Sequence, residues 1–215
     1  MIIKVCGMRE AENIRAAEAL GIDWLGLIFW PKSSRYVSAP PAYLPTTARR
    51  VGVFVDADAD DVRRHIADYR LDAIQLHGHE SPEYIRALRA ACPVSHGFSA
   101  ALTVIKAISV STRDDIALSN QYDGLVDYFL FDTKCKTVGG SGEHFDWTVL
   151  ADYAGGTPFL LSGGIGPDDT GRVLSFRHKK CVGIDLTSRF ETSPGLKDIP
   201  RLETFIKKIR SNEQD

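Results

Sequence analysis

An aspartate that follows a strand-like apolar run is the residue of this sequence most suited to chemistry. Residues 128–131 form the apolar run, Asp132 comes directly after it, and a glycine-rich stretch occupies 139–142. A carboxylate at a strand end, beside a loop whose backbone can approach a ligand closely, suits acid or base catalysis. The alternative is a turn aspartate followed by a plain flexible loop.

A second candidate is Cys6, which ends the first apolar run and precedes Gly7. A strand cysteine is most often a small core residue, but its position at the strand end favours a reactive thiol. A nearby cation would favour the thiolate, and Lys4 has the same strand parity and should point to the same side. A buried Lys4 needs a carboxylate partner, for which Asp185 or Asp132 would serve. Lys4 would then either orient the site or only balance buried charge.

These residues need a fold that brings strand ends together. Short apolar runs alternate with helical patterns, which predicts about eight β/α repeats. Helices are predicted at 10–20, 59–68, 81–91, 168–175 and 198–209, while 31–47 is only weakly helical and 100–123 is a connection of mixed period. The predicted strands are Ile2–Cys6, Trp24–Phe29, Arg50–Val55, Ala73–Leu76, Val94–Phe98, Tyr128–Phe131, Phe159–Leu161 and Val182–Leu186.

This rhythm predicts an α/β fold, a TIM (β/α)8 barrel that forms a single domain over residues 1–215. A doubly wound open sheet is the alternative, and it would need fewer parallel strands. In a barrel, functional side chains lie at the carboxyl ends of the strands and in the loops that follow. The polar and glycine residues at those positions include Cys6, Arg35, Asp56, Gln75, His77, Asp132, Gly163, Gly164, Asp185, Thr187 and Ser188.

Composition argues against several classes of partner. The formal net charge is -2, and the basic clusters at 177–180 and 207–208 lack interleaved aromatic residues, so we expect no nucleic acid and no membrane partner. No apolar run approaches membrane length, and the first residues show no signal-peptide pattern. The four cysteines, Cys6, Cys92, Cys135 and Cys181, lie far apart, which favours reduced thiols in a cytoplasmic protein.

One short motif, His77-Gly78-His79-Glu80, has the composition of a metal site. Its spacing is not that of a zinc site, and no further ligand cluster accompanies it. We therefore expect no metal at this motif and interpret it as a loop with histidines in packing roles.

Motifs in a fixed order extend from one end of the chain to the other. They are KVCG (4–7), PKSSRYVS (31–38), VGVFV (51–55), QLHG (75–78), FDTK (131–134), GGSG followed by FDW (139–147), LSGGI (161–165) and PGLKD (194–198). Each motif alone is weak, but the ordered set is specific. With it the chain resembles the phosphoribosylanthranilate isomerase family of tryptophan biosynthesis. The resemblance implies a cofactor-free, metal-free Amadori rearrangement of N-(5-phosphoribosyl)anthranilate to 1-(2-carboxyphenylamino)-1-deoxyribulose 5-phosphate.

The resemblance also implies roles for individual residues. Asp132 matches the general acid of the family and Cys6 its general base, and Asp132 must therefore hold a proton, which burial or a nearby anionic substrate would favour. Arg35 matches the residue that holds the anthranilate carboxylate, although an arginine in such a loop is usually an idle surface residue. The remaining predicted substrate contacts are Gly163, Gly164, Thr187 and Ser188 for the phosphate, Asp185 for a sugar hydroxyl or for orienting its neighbours, and Gln75 and His77 for the wall.

Arg189 departs from the family pattern, which commonly has glycine after the serine at this point. It would either supply an extra cation to the phosphate or point to solvent while Ser188 binds through its N–H. Outside a barrel, Gly163-Gly164 would be a plain tight turn.

The expected partner is a small-molecule phosphoribosyl anthranilate substrate, and the expected assembly is a monomer or homodimer.

Two other functions are compatible with the fold. One is a sugar-phosphate Amadori isomerase of histidine biosynthesis, whose family pairs two aspartates where this chain has Cys6 and Asp132. The other is a non-catalytic barrel that binds a phosphate ligand, which would be expected to lack one of these two residues. The presence of both favours the anthranilate enzyme, because fold alone does not decide between chemistries.

Overall fold

The protein is a closed barrel of parallel strands, seen in a computed structural model that describes residues 1–92, 101–133 and 147–212. Eight strands pair in chain order and the last pairs with the first, so the predicted TIM barrel is confirmed and the open doubly wound sheet is wrong. The barrel strands are β1 Ile2–Cys6, β2 Trp24–Ile28, β3 Arg49–Phe54, β4 Ala73–Leu76, β5 Thr103–Val110, β6 Tyr128–Thr133, β7 Phe159–Leu161 and β8 Cys181–Leu186. Two further strands, β9 Glu191–Ser193 and β10 Leu196–Lys197, form an antiparallel hairpin.

Two of the helices, α2 and α3, begin directly after a residue whose side chain caps them. The side chain of Asp58 accepts a hydrogen bond from Asp60 N, and that of Ser81 accepts one from Tyr84 N. Such caps satisfy backbone N–H groups that have no partner inside the helix. The helices are α1 Ala11–Ala19, α2 Ala59–Asp68, α3 Pro82–Ala91, α4 Arg113–Ala117, α5 Thr170–Ser175 and α6 Ile199–Ser211, with 3-10 turns at Leu118–Gln121, Trp147–Asp152, Pro167–Asp169 and Ser188–Phe190.

The fifth strand lies later in the chain than predicted. The predicted strand at 94–98 falls outside the described residues, and β5 occupies 103–110, inside the segment whose mixed period predicts a connection. The buried Lys106 interrupts the apolar pattern of β5. Its ammonium donates hydrogen bonds to the carbonyl oxygens of Leu76, Gly78 and Ala107 and forms an ion pair with Glu80 at 3.1 Å. A charged residue at a buried position therefore hid this strand from pattern analysis.

Two connections differ from regular β/α units. No helix forms at 31–47, where the weak helical pattern gives turns instead. The glycine-rich stretch at 139–142, with Lys134 and Cys135, lies outside the described residues. None of the helices in the described ranges has the length and apolar character that a membrane crossing requires.

Apolar side chains form two layers, one on each side of the barrel sheet. The larger layer packs between the barrel and its helices. The smaller one fills the barrel interior, with Trp24, Val51, Ala73, Ile105, Ala107, Leu130 and Leu160. Because strand side chains alternate, Leu130 and Asp132 of β6 share one parity. The interior therefore passes from apolar filling to polar groups toward the carboxyl ends of the strands.

Candidate functional site

A cavity of about 310 Å3 opens at the carboxyl ends of the barrel strands. The ten residues predicted to be catalytic or substrate-binding line it, and they come from the ends of six strands and the loops after them, whereas Asp56 is not among the lining residues. The lining consists of Cys6, Ile28, Arg35, Val53, Gln75, His77, Asp132, Ser162, Gly163, Gly164, Ile165, Asp185, Thr187, Ser188 and Arg189. Barrel closure thus brings together residues that lie far apart in the sequence, such as Cys6 and Arg189, which are 183 positions apart.

Cys6 is buried beside a buried ion pair. Lys4 Nζ donates a hydrogen bond of 2.9 Å to Asp185 Oδ1, so Asp185 rather than Asp132 is the carboxylate partner of Lys4. Burial raises the pKa of the Cys6 thiol, and the charge of Lys4 opposes that rise without cancelling it. The cation that the sequence predicts beside Cys6 is present, but burial, together with the Asp185 carboxylate, outweighs its effect on the thiol pKa. For Lys4 itself, burial opposes the charge, yet the neighbouring Asp185 raises its pKa.

Asp132 lies at the end of β6 and faces a histidine across the cavity. His77 Nε2 is 3.4 Å from Asp132 Oδ2, and both side chains are about one-third exposed, at 31% each. His77 Nδ1 is 2.9 Å from Gln75 Nε2, while Gln75 Oε1 is buried with no hydrogen-bond partner among the described residues. If Gln75 donates to Nδ1, the remaining nitrogen, Nε2, carries the proton and can donate to Asp132.

The loop after β7 has two successive glycines with positive φ. Gly163 and Gly164 have φ values of +87° and +69°, in the region that favours glycine. No described residue accepts a hydrogen bond from the backbone N–H of either glycine. Thr187 and Ser188 line the cavity from the neighbouring strand end, β8. Successive N–H groups of this kind form a concave site for phosphate oxygens.

Arg35 reaches the cavity because its loop folds back onto β2. Tyr36 forms a bridge with Ile28, and the side chain of Ser33 accepts a hydrogen bond from Arg35 N at 3.1 Å. The stem of Arg35 then passes over Gly7, which has a φ of +77° and where an added Cβ would lie 2.5 Å from Arg35 Cδ. Gly7 is therefore required both for its backbone conformation and for the path of Arg35.

Sequence analysis missed two charged residues next to the cavity, Glu191 and Lys197. The Glu191 carboxylate binds both Arg35 and the Lys197 ammonium. Glu191 follows the end of β8 by five residues, and Lys197 belongs to the PGLKD motif. The rule that polar residues after strand ends are functional would have selected Glu191. No local signal predicts its pairing with Arg35, because 156 residues separate them.

The side chains of the His77-Gly78-His79-Glu80 motif turn to different partners. His77 faces Asp132, whereas His79 is 98% exposed and contacts Asp56 at 3.2 Å. Glu80 is buried and accepts hydrogen bonds from Gly78 N and Lys106 Nζ. Within the described ranges, no three His, Cys, Asp or Glu side chains are grouped in a way that could hold a metal ion.

The chain matches a known protein family over almost its whole length. The sequence model of the family described as N-(5'phosphoribosyl)anthranilate (PRA) isomerase matches residues 3–208. The N-(5'-phosphoribosyl)anthranilate isomerase of Phocaeicola vulgatus is 48% identical over 214 residues, which is 100% of both chains. The protein of the same name from Parabacteroides distasonis is 47% identical over 215 residues, covering 97% of this chain and 93% of its own length.

A solved structure with the same fold contains a ligand. It is a phosphoribosyl anthranilate isomerase in complex with reduced 1-(o-carboxyphenylamino)-1-deoxyribulose 5-phosphate. It superimposes with a TM-score of 0.81 at 28% sequence identity and covers 98% of this chain and 100% of its own.

Proposed function

This chain belongs to the N-(5'-phosphoribosyl)anthranilate isomerase family, and we propose that it catalyses the Amadori rearrangement of N-(5-phosphoribosyl)anthranilate in tryptophan biosynthesis. The product is 1-(2-carboxyphenylamino)-1-deoxyribulose 5-phosphate. The observation that carries the proposal is that Cys6 and Asp132, one candidate base and one candidate acid, line the same cavity. We place the enzyme in the cytoplasm, as a single-domain monomer or homodimer.

The first step needs an acid, and Asp132 is placed to supply it. A proton from Asp132 goes to the furanose ring oxygen, the bond between that oxygen and C1 breaks, and the nitrogen lone pair forms the iminium. The anionic substrate favours the protonated carboxyl group as it binds. His77, with Nε2 at 3.4 Å from Asp132, is the neighbour that can exchange a proton with it between turnovers.

The second step needs a base, and Cys6 is placed to act as one. Its thiolate removes the proton from C2 of the iminium, the electrons of that bond neutralise the nitrogen, and the resulting enol becomes the ketone. Burial raises the pKa of Cys6 and thereby makes the thiolate a stronger base once it forms. The Lys4 ammonium stabilises the thiolate against this burial.

The two anionic ends of the substrate match two parts of the cavity. Gly163, Gly164 and the β8 end at Thr187 and Ser188 bind the phosphate through backbone N–H groups. Arg35 binds the anthranilate carboxylate with its planar guanidinium. The reduced product bound by the related crystal structure carries both of these groups, a carboxyphenyl and a phosphate.

The alternatives explain less of the site. A histidine-pathway isomerase would pair two aspartates, whereas a cysteine occupies one of the two positions here. A non-catalytic phosphate-binding barrel gives no reason for a buried thiol and a carboxyl group to line one cavity. The relatives that are 48% and 47% identical to this chain both carry the name of the anthranilate enzyme.

The test is the loss of phosphoribosylanthranilate fluorescence on addition of purified enzyme, with Cys6→Ala and Asp132→Asn beside the wild type. We expect rapid turnover by the wild type and a fall in kcat of about 100- to 10,000-fold in each variant, because each removes one proton-transfer group. Cys181→Ala is the control, since this half-buried thiol of β8 does not line the cavity.

A folded wild-type protein without turnover would contradict the isomerase function. Wild-type turnover that persists unchanged in Cys6→Ala or Asp132→Asn would instead contradict the role of that residue alone. Circular dichroism of each variant establishes that the barrel is intact.

A further inference from the structure

Arg35 is held by a buried carboxylate that no step of the reaction uses. Arg35 Nε donates to both oxygens of Glu191, at 2.9 and 3.0 Å, and Nη2 donates to Oε2 at 2.6 Å. The Glu191 side chain is only 4% exposed, whereas that of Arg35 is 22% exposed. Such forked pairs fix the orientation of a guanidinium as well as its position.

The pairing with Glu191 occupies one edge of the Arg35 guanidinium and leaves a second edge available to a ligand. Glu191 takes the edge formed by Nε and Nη2. No described residue accepts a hydrogen bond from Nη1 of Arg35. A guanidinium has five N–H donors in a plane, so the edge formed by Nη1 and Nη2 can still bind a second carboxylate in a forked geometry. Arg35 lines the cavity, where that second carboxylate would come from a ligand.

Glu191 is itself immobilised by the hairpin of β9 and β10. Lys197 Nζ donates to Glu191 Oε1 at 2.7 Å, and Gly195 N donates to the same oxygen at 3.2 Å. The backbone of Lys197 is in turn bonded to the side-chain amide of Asn13, with Lys197 N to Asn13 Oδ1 at 2.7 Å. Although burial raises the pKa of Glu191, the hydrogen bonds from Arg35 and Lys197 lower it below its ordinary value. Glu191 is therefore a charged, fixed anchor.

The charges of this cluster separate two explanations for Glu191. Arg35 and Lys197 carry two positive charges and Glu191 one negative charge, which leaves one net positive charge for a ligand anion. If Glu191 only balanced charge, its neutralisation would strengthen the attraction for a carboxylate. If Glu191 orients Arg35, its neutralisation would weaken that attraction, because Arg35 would lose its fixed geometry.

We propose that Glu191 is a positioning residue that turns the free edge of Arg35 toward the carboxylate of the arylamine, and that it thereby sets selectivity for substrates with an ortho-carboxylate. The inference rests on the proposed function. It extends that function to the specificity of the arylamine end of the site, with Lys197 as the group that keeps Glu191 in place.

The experiment compares two substrates that differ only in the carboxylate. N-(5-phosphoribosyl)anthranilate and N-(5-phosphoribosyl)aniline are formed by condensing the respective amine with ribose 5-phosphate, and kcat/KM is measured for both. We expect the ratio of kcat/KM for the two substrates to fall about 10- to 100-fold in Glu191→Gln, mainly through KM for the anthranilate substrate. Glu191→Asp, which keeps the charge and shortens the reach, should show a smaller fall in the same ratio.

Glu203→Gln is the matched control, because Glu203 is a surface residue of α6 whose carboxylate contacts only Lys207 among described residues. Its ratio should equal that of the wild type. An unchanged or increased ratio in Glu191→Gln would overturn the proposal, and if that variant does not fold, the ratio of Glu191→Asp decides in the same way. Absence of wild-type turnover with the anthranilate substrate would instead reject the proposed function, which keeps the two failures distinct.

Discussion

At the scale of single residues, burial and the neighbouring charges together set the pKa of Cys6. Cys6 lies near the ammonium groups of Lys4 and Lys197, and both lower its pKa, yet burial and the Asp185 carboxylate keep that pKa raised. Burial and Asp185 therefore oppose formation of the Cys6 thiolate, whereas the two ammonium groups favour it.

Arg189 is the residue for which the sequence left two roles open. It lines the cavity beside Ser188, is exposed, and makes no hydrogen bond or ion pair with any described residue. We expect Arg189→Ala to raise KM about 2- to 10-fold with little change in kcat, because one solvent-exposed cation is removed from the phosphate end.

The measurement for Arg189 is steady-state kinetics at low and high salt. The increase in KM should shrink at high salt, where exposed charges are screened. Arg64→Ala, on the outer surface helix α2 with a side chain that is 72% exposed, is the control. An unchanged KM for Arg189→Ala at low salt would show that Arg189 points to solvent.

At the scale of elements, a buried carboxylate joins a helix to the connection between two strands. Glu18, at the end of α1, is 8% exposed and binds the segment that leads into β3. Its Oε1 accepts hydrogen bonds from the backbone N–H groups of Thr46 and Thr47, at 2.6 and 2.5 Å, and its Oε2 accepts one from Tyr43. This contact fixes the end of the long connection that carries Arg35.

These contacts predict that Glu18 makes stability depend on acid pH. Although burial alone would raise the pKa of Glu18, the hydrogen bonds lower it to about 2. Relative to about 4.3 in the unfolded chain, this shift corresponds to roughly 3 kcal/mol of unfolding free energy. That stability is present above the unfolded pKa and is lost as the pH falls through the folded one.

Glu18→Gln should therefore lower the free energy of unfolding at pH 7, and its stability should change less than that of the wild type between about pH 5 and pH 2. Urea denaturation at several pH values measures both effects. Glu12→Gln, at an exposed position of α1 with a side-chain exposure of 87%, is the control and should behave as the wild type. Parallel loss of stability in Glu18→Gln and wild type would contradict this role.

At the scale of the whole molecule, the residues that stabilise the barrel interior and the residues that line the cavity occupy different levels along the barrel axis. The interior apolar cluster fills the barrel below the site, and the polar groups lie at the carboxyl ends of the same strands. Leu130 and Asp132 show the division within one strand, since both have the same parity in β6 and lie one layer apart. Leu130 is fully buried at 0% exposure, whereas the Asp132 side chain is 31% exposed.

Leu130→Ala should lower the free energy of unfolding by about 2–5 kcal/mol through a cavity in the core, and leave KM of the folded enzyme unchanged. Asp132→Asn should show the reverse, with kcat lost and the free energy of unfolding changed by less than about 1 kcal/mol. Guanidinium denaturation and steady-state kinetics on both variants measure the two effects. A large rise in KM for folded Leu130→Ala would show that the interior layer also shapes the site.

The alternation and periodicity of side chains along the chain were enough to indicate the barrel, seven of its strands and most of the residues that line its cavity. These properties are local, because a buried strand or an amphipathic helix marks its own neighbourhood in the sequence. Strand β5 was not predicted because a lysine usually indicates an exposed position. Lys106 is buried instead, since it contacts Gly78 and Glu80, which are distant in the sequence.

Closure of the barrel determined which charged side chains pair with each other. It selected Asp185 over Asp132 as the partner of Lys4, across a separation of 181 residues, and placed Glu191 against Arg35. The local pattern allowed either carboxylate for Lys4 and offered none for Arg35. Only the register of β1 against β8, which sets Lys4 beside Asp185, resolves such choices, because the energy of a buried charge depends on which opposite charge lies within a few ångströms.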